Sequence, residues 1–230
     1  MCFSATASFT LSAILISTGI FSAITAYNAN KNYLLLSLVP IIFGIQQCIE
    51  GLIWQQLHID HFSIAQWYAY IYLFFAFYLW PVYVPICIYF IEKGALRKKI
   101  LGTLVIAGLL LSIIMYAPIL FGIIPSAPLI KGHSIHYQAY QSDLLIYTYS
   151  VCYIAILTLA LLFSSEMRIK LFGIMILVAS IAAYSLYIYA FTSMWCFFSA
   201  ILSIYIAFIM CKLPDKTAES TALTQQMPHS

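Results

Sequence analysis

Charge is almost missing over long distances in this chain, and nothing else constrains its fold so much. Seven apolar stretches can be read, roughly 8–28, 33–54, 67–91, 100–123, 144–164, 170–191 and 194–211. About 20 mostly apolar residues in a helix match a bilayer core of about 30 Å. Lipid offers no hydrogen bonds, so backbone groups must be satisfied within the segment, which a helix achieves. The runs are continuous and too long for the alternating strands of a barrel. The sequence predicts an all-α, polytopic integral membrane protein with seven transmembrane helices.

Composition agrees with this. Hydrophobic residues make up 64% and charged residues 7%, where a soluble domain carries about a quarter charged. Such a surface cannot stay wet. A soluble enzyme, a nucleic-acid binder and a disordered chain are therefore excluded.

The charges that do exist mark the ends of the spans. Lys31 lies between the first two, and His58, Asp60 and His61 between the second and third. Glu92, Lys93, Arg97, Lys98 and Lys99 separate the third from the fourth, and Glu166, Arg168 and Lys170 the fifth from the sixth. Only Thr192 and Ser193 divide the last two, but 170–211 is too long for one crossing. With seven spans, nine of the ten basic residues fall on one side and only Lys131 on the other. Basic residues near helix ends favour the cytoplasm, so the N-terminus is expected outside and the C-terminus inside. The cluster Arg97, Lys98, Lys99 serves as a topology determinant, or touches anionic lipid. Residues 1–213 form the membrane domain, and the polar 214–230 segment is expected as a disordered cytoplasmic tail. No positive region precedes the first apolar run, so that helix is expected to be retained as an anchor.

One ionisable residue falls inside a span, and such residues often mark function. It is Glu50, four residues before Trp54, the expected outer end of the second helix. At 1.5 Å per residue it lies roughly 6 Å below that end. Gln46, Glu50 and Trp54 share a helix face through i, i+4, i+8 spacing, with Gln47 beside them. Lipid would solvate this face badly, so it should look into the bundle. Glu50 is the candidate catalytic carboxylate, with Gln46, Gln47 and Trp54 as binding partners. The competing reading is interhelical hydrogen bonding that fixes packing.

Other polar residues gather on the outer side. His58, His61, His133 and His136 fall in outer connections, each pair at i, i+3. With Glu50, Asp60 or Asp143, His133 and His136 offer a zinc or copper site, although loop histidines are common without one. Cys2 and Cys196 map to the outer side, where an oxidising compartment would let them pair. Cys48, Cys87 and Cys152 read as packers within spans. Tyr147 follows Asp143 by one turn, and both are candidates for a polar vestibule; belt anchoring is the plainer role for the tyrosines. Trp80-Pro81 and Pro85 predict a kink in the third span. The connection 118–142 is long enough to act as a lid.

Several strings carry a resemblance. The chain opens Met1-Cys2-Phe3-Ser4-Ala5, followed by Ala7-Ser8-Phe9. The second span holds Phe43-Gly44-Ile45-Gln46-Gln47, then Glu50-Gly51 and Trp54. The third holds Phe74-Phe75-Ala76-Phe77 and Trp80-Pro81, and the seventh opens Trp195-Cys196-Phe197-Phe198. Together these resemble a family of bacterial seven-helix membrane proteins of unknown function whose members begin Met-Cys-Phe-Ser-Ala. The resemblance covers the membrane region and implies a bacterial inner membrane, but no activity. Three of its four strings lie at the expected outer end, so a folded-back N-terminus would bring Cys2, Ser4, Glu50 and Trp195 around one pocket, with Cys196 a further binding candidate.

Other seven-helix classes fit poorly. A retinal protein needs a Schiff-base lysine in the last helix, and 194–211 has none. Ceramidase-like metallohydrolases need histidines within spans. Inverted repeats are not visible. The expected function is an outward-facing polar pocket around Glu50 that binds a small molecule, lipid or metal, with membrane-embedded catalysis as one outcome. The alternatives are a transporter or channel that uses Glu50 for coupling, and a structural or sensory protein without chemistry.

Overall fold

The computed structural model describes residues 4–124, 126–131, 134–137, 143–186 and 190–214. Seven long helices run through them: α1 Ala5–Ala29, α2 Lys31–His58, α3 Phe62–Ile91, α4 Ala95–Leu120, α5 Asp143–Leu162, α6 Met167–Leu186 and α7 Phe191–Cys211. Six are long and apolar enough to cross a membrane, and Tyr147–Leu162 of α5 is a shorter apolar stretch. The chain is thus built as a helical integral membrane protein. Its lipid-type surface is apolar: Ile20, Phe21 and Ile24 of α1, Leu110 and Ile114 of α4, and Val178 and Ile181 of α6 all point outward.

The helices overrun the apolar stretches at most ends. α2 continues past Trp54 to His58, and α4 starts at Ala95, taking Arg97, Lys98 and Lys99 into its first turns. Long basic side chains lie along apolar surface while their charged ends stay in water, so a helix can continue into the interface. Lys31, Lys98 and Lys212 do this over the rings of Tyr27, Tyr89 and Phe208.

The connection after α4 departs from an all-helical reading. Pro128–Lys131 (β1) and Ser134–Tyr137 (β2) pair antiparallel, from Pro128 opposite Tyr137 to Lys131 opposite Ser134. The hairpin packs on α7 through β2 and touches α2 and α3 through β1. Ile135 is fully buried, and the Tyr137 ring stacks on Tyr72 of α3, with centroids 4.9 Å apart. The hairpin therefore covers one end of the bundle. Short strands of this kind give little periodicity to read in advance.

α1 and α2 are closely packed antiparallel neighbours. A Cβ at Gly51 would lie 2.7 Å from the Phe9 ring, and one at Gly44 the same distance from Ile16. Ser12 Oγ donates to Gly44 O at 2.7 Å. Small residues let membrane helices approach to this distance.

The predicted kink in α3 is a turn of π-helix over Phe74–Leu79, ahead of Trp80-Pro81. Trp80 N–H reaches back to Phe75 O, five residues earlier. α4 supports this turn from one face. Ser112 Oγ donates to Tyr78 O at 2.9 Å, and Tyr116 OH donates to Tyr70 O at 3.2 Å. Gly108, one turn earlier, leaves room for the Pro81 carbonyl. Side chains of a neighbouring helix thus add hydrogen bonds to the backbone around the irregular turn, as is usual where a membrane helix departs from regular geometry.

At the opposite end of the bundle from the hairpin, Glu92 joins two turns. Its Oε1 accepts from Lys93 N and Gly94 N, and its Oε2 accepts from Ser165 N at 2.7 Å. Glu92 is 2% exposed, and Arg97 stands 3.7 Å away. Burial works to raise its pKa, but the N–H groups of Gly94, Ser165 and Lys93 together outweigh it and hold the carboxyl below its ordinary range.

Candidate functional site

The polar face predicted on α2 does turn inward. Gln46, Gln47 and Glu50 are fully buried, and Trp54 is 2% exposed. Because α2 extends to His58, Glu50 sits eight residues inside the helix end, about 12 Å down, rather than one turn. Trp54 is an interior residue and not an end marker.

Three helices meet around this carboxylate and its neighbour Gln46. Gln47 Nε2 donates to Glu50 Oε2 at 3.3 Å along α2. Ser193 Oγ, from the first turn of α7, donates to Glu50 Oε1 at 2.6 Å. Trp80 Nε1, from just after the π turn of α3, donates to Gln46 Oε1 at 2.9 Å. The Cys196 thiol, one turn below Ser193, lies against Tyr72 and Gln46 and within the field of Glu50. A hydrogen bond to a charged or strongly polar buried group contributes about 1.5–3 kcal/mol, so this cluster fixes α2, α3 and α7 together.

The cluster is not saturated. Gln46 Nε2, Gln47 Oε1 and Trp54 Nε1 are buried without a hydrogen-bond partner among the described residues, and so is Ser8 Oγ on α1. Each such atom costs about 1–3 kcal/mol if it stays unsatisfied. They include an amide donor, an indole donor, an amide acceptor and a hydroxyl.

A model of a family of unknown function matches residues 1–221. The chain belongs to that family, DUF6629. No curated protein and no solved structure matches it. The match takes in every helix described above and runs past Pro214, so the Glu50 cluster lies within it. Membership agrees with the resemblance to an uncharacterised family and assigns no residue a role.

The remaining candidates separate. Cys196 is brought to the cluster. Trp195, its neighbour, turns instead toward an apolar cavity and stands edge-on to Tyr153. Ser4 caps α1, its Oγ accepting from Ala7 N at 3.2 Å. Tyr147 is exposed and meets Tyr184 edge-on, away from Glu50. Cys2 and His133 lie outside the described residues, and so does the side chain of Asp143 at the start of α5. His136 is half-buried on β2. Among the described residues no group of three or more His, Cys, Asp or Glu is placed to hold a metal. One carboxylate among amides and an indole is a poor set for zinc, which takes His, Cys and carboxylate.

Two members of the cluster were not foreseen as site residues. Ser193 read only as a break between spans, and Trp80 only as part of a kink. The signal for Ser193 was a hydroxyl in a long apolar run. The signal for Trp80 was an indole N–H at mid-span, which needs an acceptor when buried.

Proposed function

We propose that this chain crosses the membrane seven times, N-terminus outside, and binds a small polar or amphipathic molecule at the Glu50 cluster beneath the outer face. The observation that carries the reading is the set of buried, unpartnered polar atoms around a buried carboxylate. A group kept only for packing would be expected to meet its partners within the protein. Here Gln46 Nε2 and Trp54 Nε1 still offer donors, and Gln47 Oε1 offers an acceptor. A ligand with both hydroxyl or amide donors and an accepting oxygen meets all three. The hairpin over this end of the bundle would act as its cover. The nine-to-one distribution of basic residues supports the orientation and a cytoplasmic membrane, with the C-terminal segment in the cytoplasm.

The hydrogen bond from Ser193 to Glu50 favours one other reading, in which the cluster only ties α2 to α7. Mass spectrometry of small molecules released from the purified full-length protein separates the two. Binding predicts a compound that is retained by the wild type and lost from Glu50→Gln and Gln46→Leu. If the extracts are identical and the variants differ only in thermal stability, the cluster is structural.

A further inference from the structure

A second, different space lies on the far side of Trp80 and Cys196 from Glu50. Phe43, Trp80, Phe172 and Trp195 give it aromatic walls, and Tyr153 and Ser199 supply its hydroxyls. The space inside these walls, mouth included, is about 500 Å³, of which about 30 Å³ is void deep enough to centre a water. That is room for a ring-sized molecule and not for a whole lipid.

Its two hydroxyls, like that of Ser8 on α1, behave unlike most others in the bundle. The buried hydroxyls of Ser22, Ser37, Ser112, Thr158, Ser180 and Ser203 each donate to a backbone carbonyl. This is the usual way for a helix to absorb a serine or threonine in an apolar setting. Ser199, 3% exposed on the same face of α7 as Ser203, makes no such bond, and neither does the Tyr153 hydroxyl. The Trp195 indole lies toward the Tyr153 oxygen, but an indole only donates. The phenol proton would still need an acceptor. Both hydroxyls therefore lie in an apolar, aromatic-walled cavity without a hydrogen-bond acceptor among the described residues.

We propose that this cavity is a binding site for a small membrane-dissolved ring bearing a carbonyl oxygen, such as an aromatic ketone or a quinone head. The hydroxyls of Tyr153 and Ser199 donate to the carbonyl, and the ring packs among the aromatic side chains. A flat ring gains from offset or edge contact with such walls. A carbonyl accepts two hydrogen bonds and carries no proton of its own to place. The site needs no ligand at Glu50 and does not rest on that reading.

The test uses the full-length protein in lipid nanodiscs, with acetophenone as probe and isopropylbenzene as its carbonyl-free analogue. Trp80 and Trp195 line the cavity, so their emission reports occupancy. Acetophenone is expected to change the emission saturably and to raise the unfolding temperature. After correction for lipid partitioning, isopropylbenzene should bind about tenfold more weakly, since it leaves both hydroxyls unpaired. Tyr153→Phe and Ser199→Ala should each weaken acetophenone by about three- to tenfold and leave isopropylbenzene unchanged. If either variant fails to fold, the other and the analogue still decide. Equal binding of the two compounds, or a response that never saturates, overturns the proposal and assigns the hydroxyl protons to water.

Discussion

Single residues carry more here than their number implies, because each buried polar group in lipid has few ways to be satisfied. The Glu50–Ser193 hydrogen bond at 2.6 Å is the clearest case. Ser193→Ala should lower unfolding stability by about 1–3 kcal/mol, read as a fall in the thermal midpoint in detergent, whereas Thr192→Ala, one residue earlier, should fall within about 0.5 kcal/mol. Glu92 gives a pH dependence with a definite sign. Its folded pKa is depressed, so its contribution is fully present above the unfolded carboxyl value of about 4.3. That contribution is lost as pH falls through the lower folded value. Thermal midpoints of the wild type should therefore drop more steeply below about pH 4.3 than those of Glu92→Gln. Parallel curves would mean that Glu92 is not the titrating clasp. Glu50 was legible in the sequence because it is a carboxylate inside an apolar span. Glu92 was not: a charge beside a basic cluster looks like an ordinary span boundary, and only the fold brings Ser165 N to it.

At the scale of elements, the sequence was informative wherever hydrophobicity alone sets the answer. All seven long helices were legible, with ends misplaced by a few residues where lysine, arginine or histidine extends a helix into the interface. The α3 kink was legible from Pro81, but not its form. Proline announces a lost hydrogen bond, while the π turn lies against α4, which presents Gly108, Ser112 and Tyr116 at i, i+4, i+8 to its backbone. The distinction has a measurable consequence. Gly108→Ala would force a methyl group into the Pro81 carbonyl and should cost about 1–3 kcal/mol. At Gly102 the nearest atom to an added Cβ is the Tyr89 ring at 4.0 Å, so Gly102→Ala should be neutral or slightly stabilising, since alanine favours a helix over glycine. Thermal unfolding of the two variants side by side would show whether the π turn is a fixed support for Trp80. Gly108→Ala should also shift Trp80 emission, as the indole loses its place against Gln46. The hairpin was the least legible element, since eight short-strand residues inside a proline-containing connection carry no helical or long apolar signal.

For the whole molecule, the sidedness of charge makes the firmest prediction. A green fluorescent reporter joined after the C-terminus should fluoresce in bacteria, and alkaline phosphatase joined at the same point should be inactive. A cysteine placed at Lys131 should react with a membrane-impermeant maleimide in intact cells. An active C-terminal phosphatase would reverse the orientation, and with it the assignment of the Glu50 cluster to the outer end. The helical, membrane-type architecture is visible in sequence because lipid imposes one rule on every span. The candidate site is visible only in part, because its partners come from three helices whose rotations are set by packing.

That arrangement also has a history in time. The two oxygens that define the Glu50 cluster belong to residues 143 positions apart, and the Glu92 clasp spans 73. At about 5–20 residues per second of synthesis, Ser165 emerges some seconds after Glu92, and Ser193 roughly seven to thirty seconds after Glu50. During that interval α2 resides in the membrane with its most polar face still waiting for α7. The nascent chain would be most exposed to quality control in that window, and a transcript truncated before Phe191 should yield a protein that is degraded rather than one that is merely less stable.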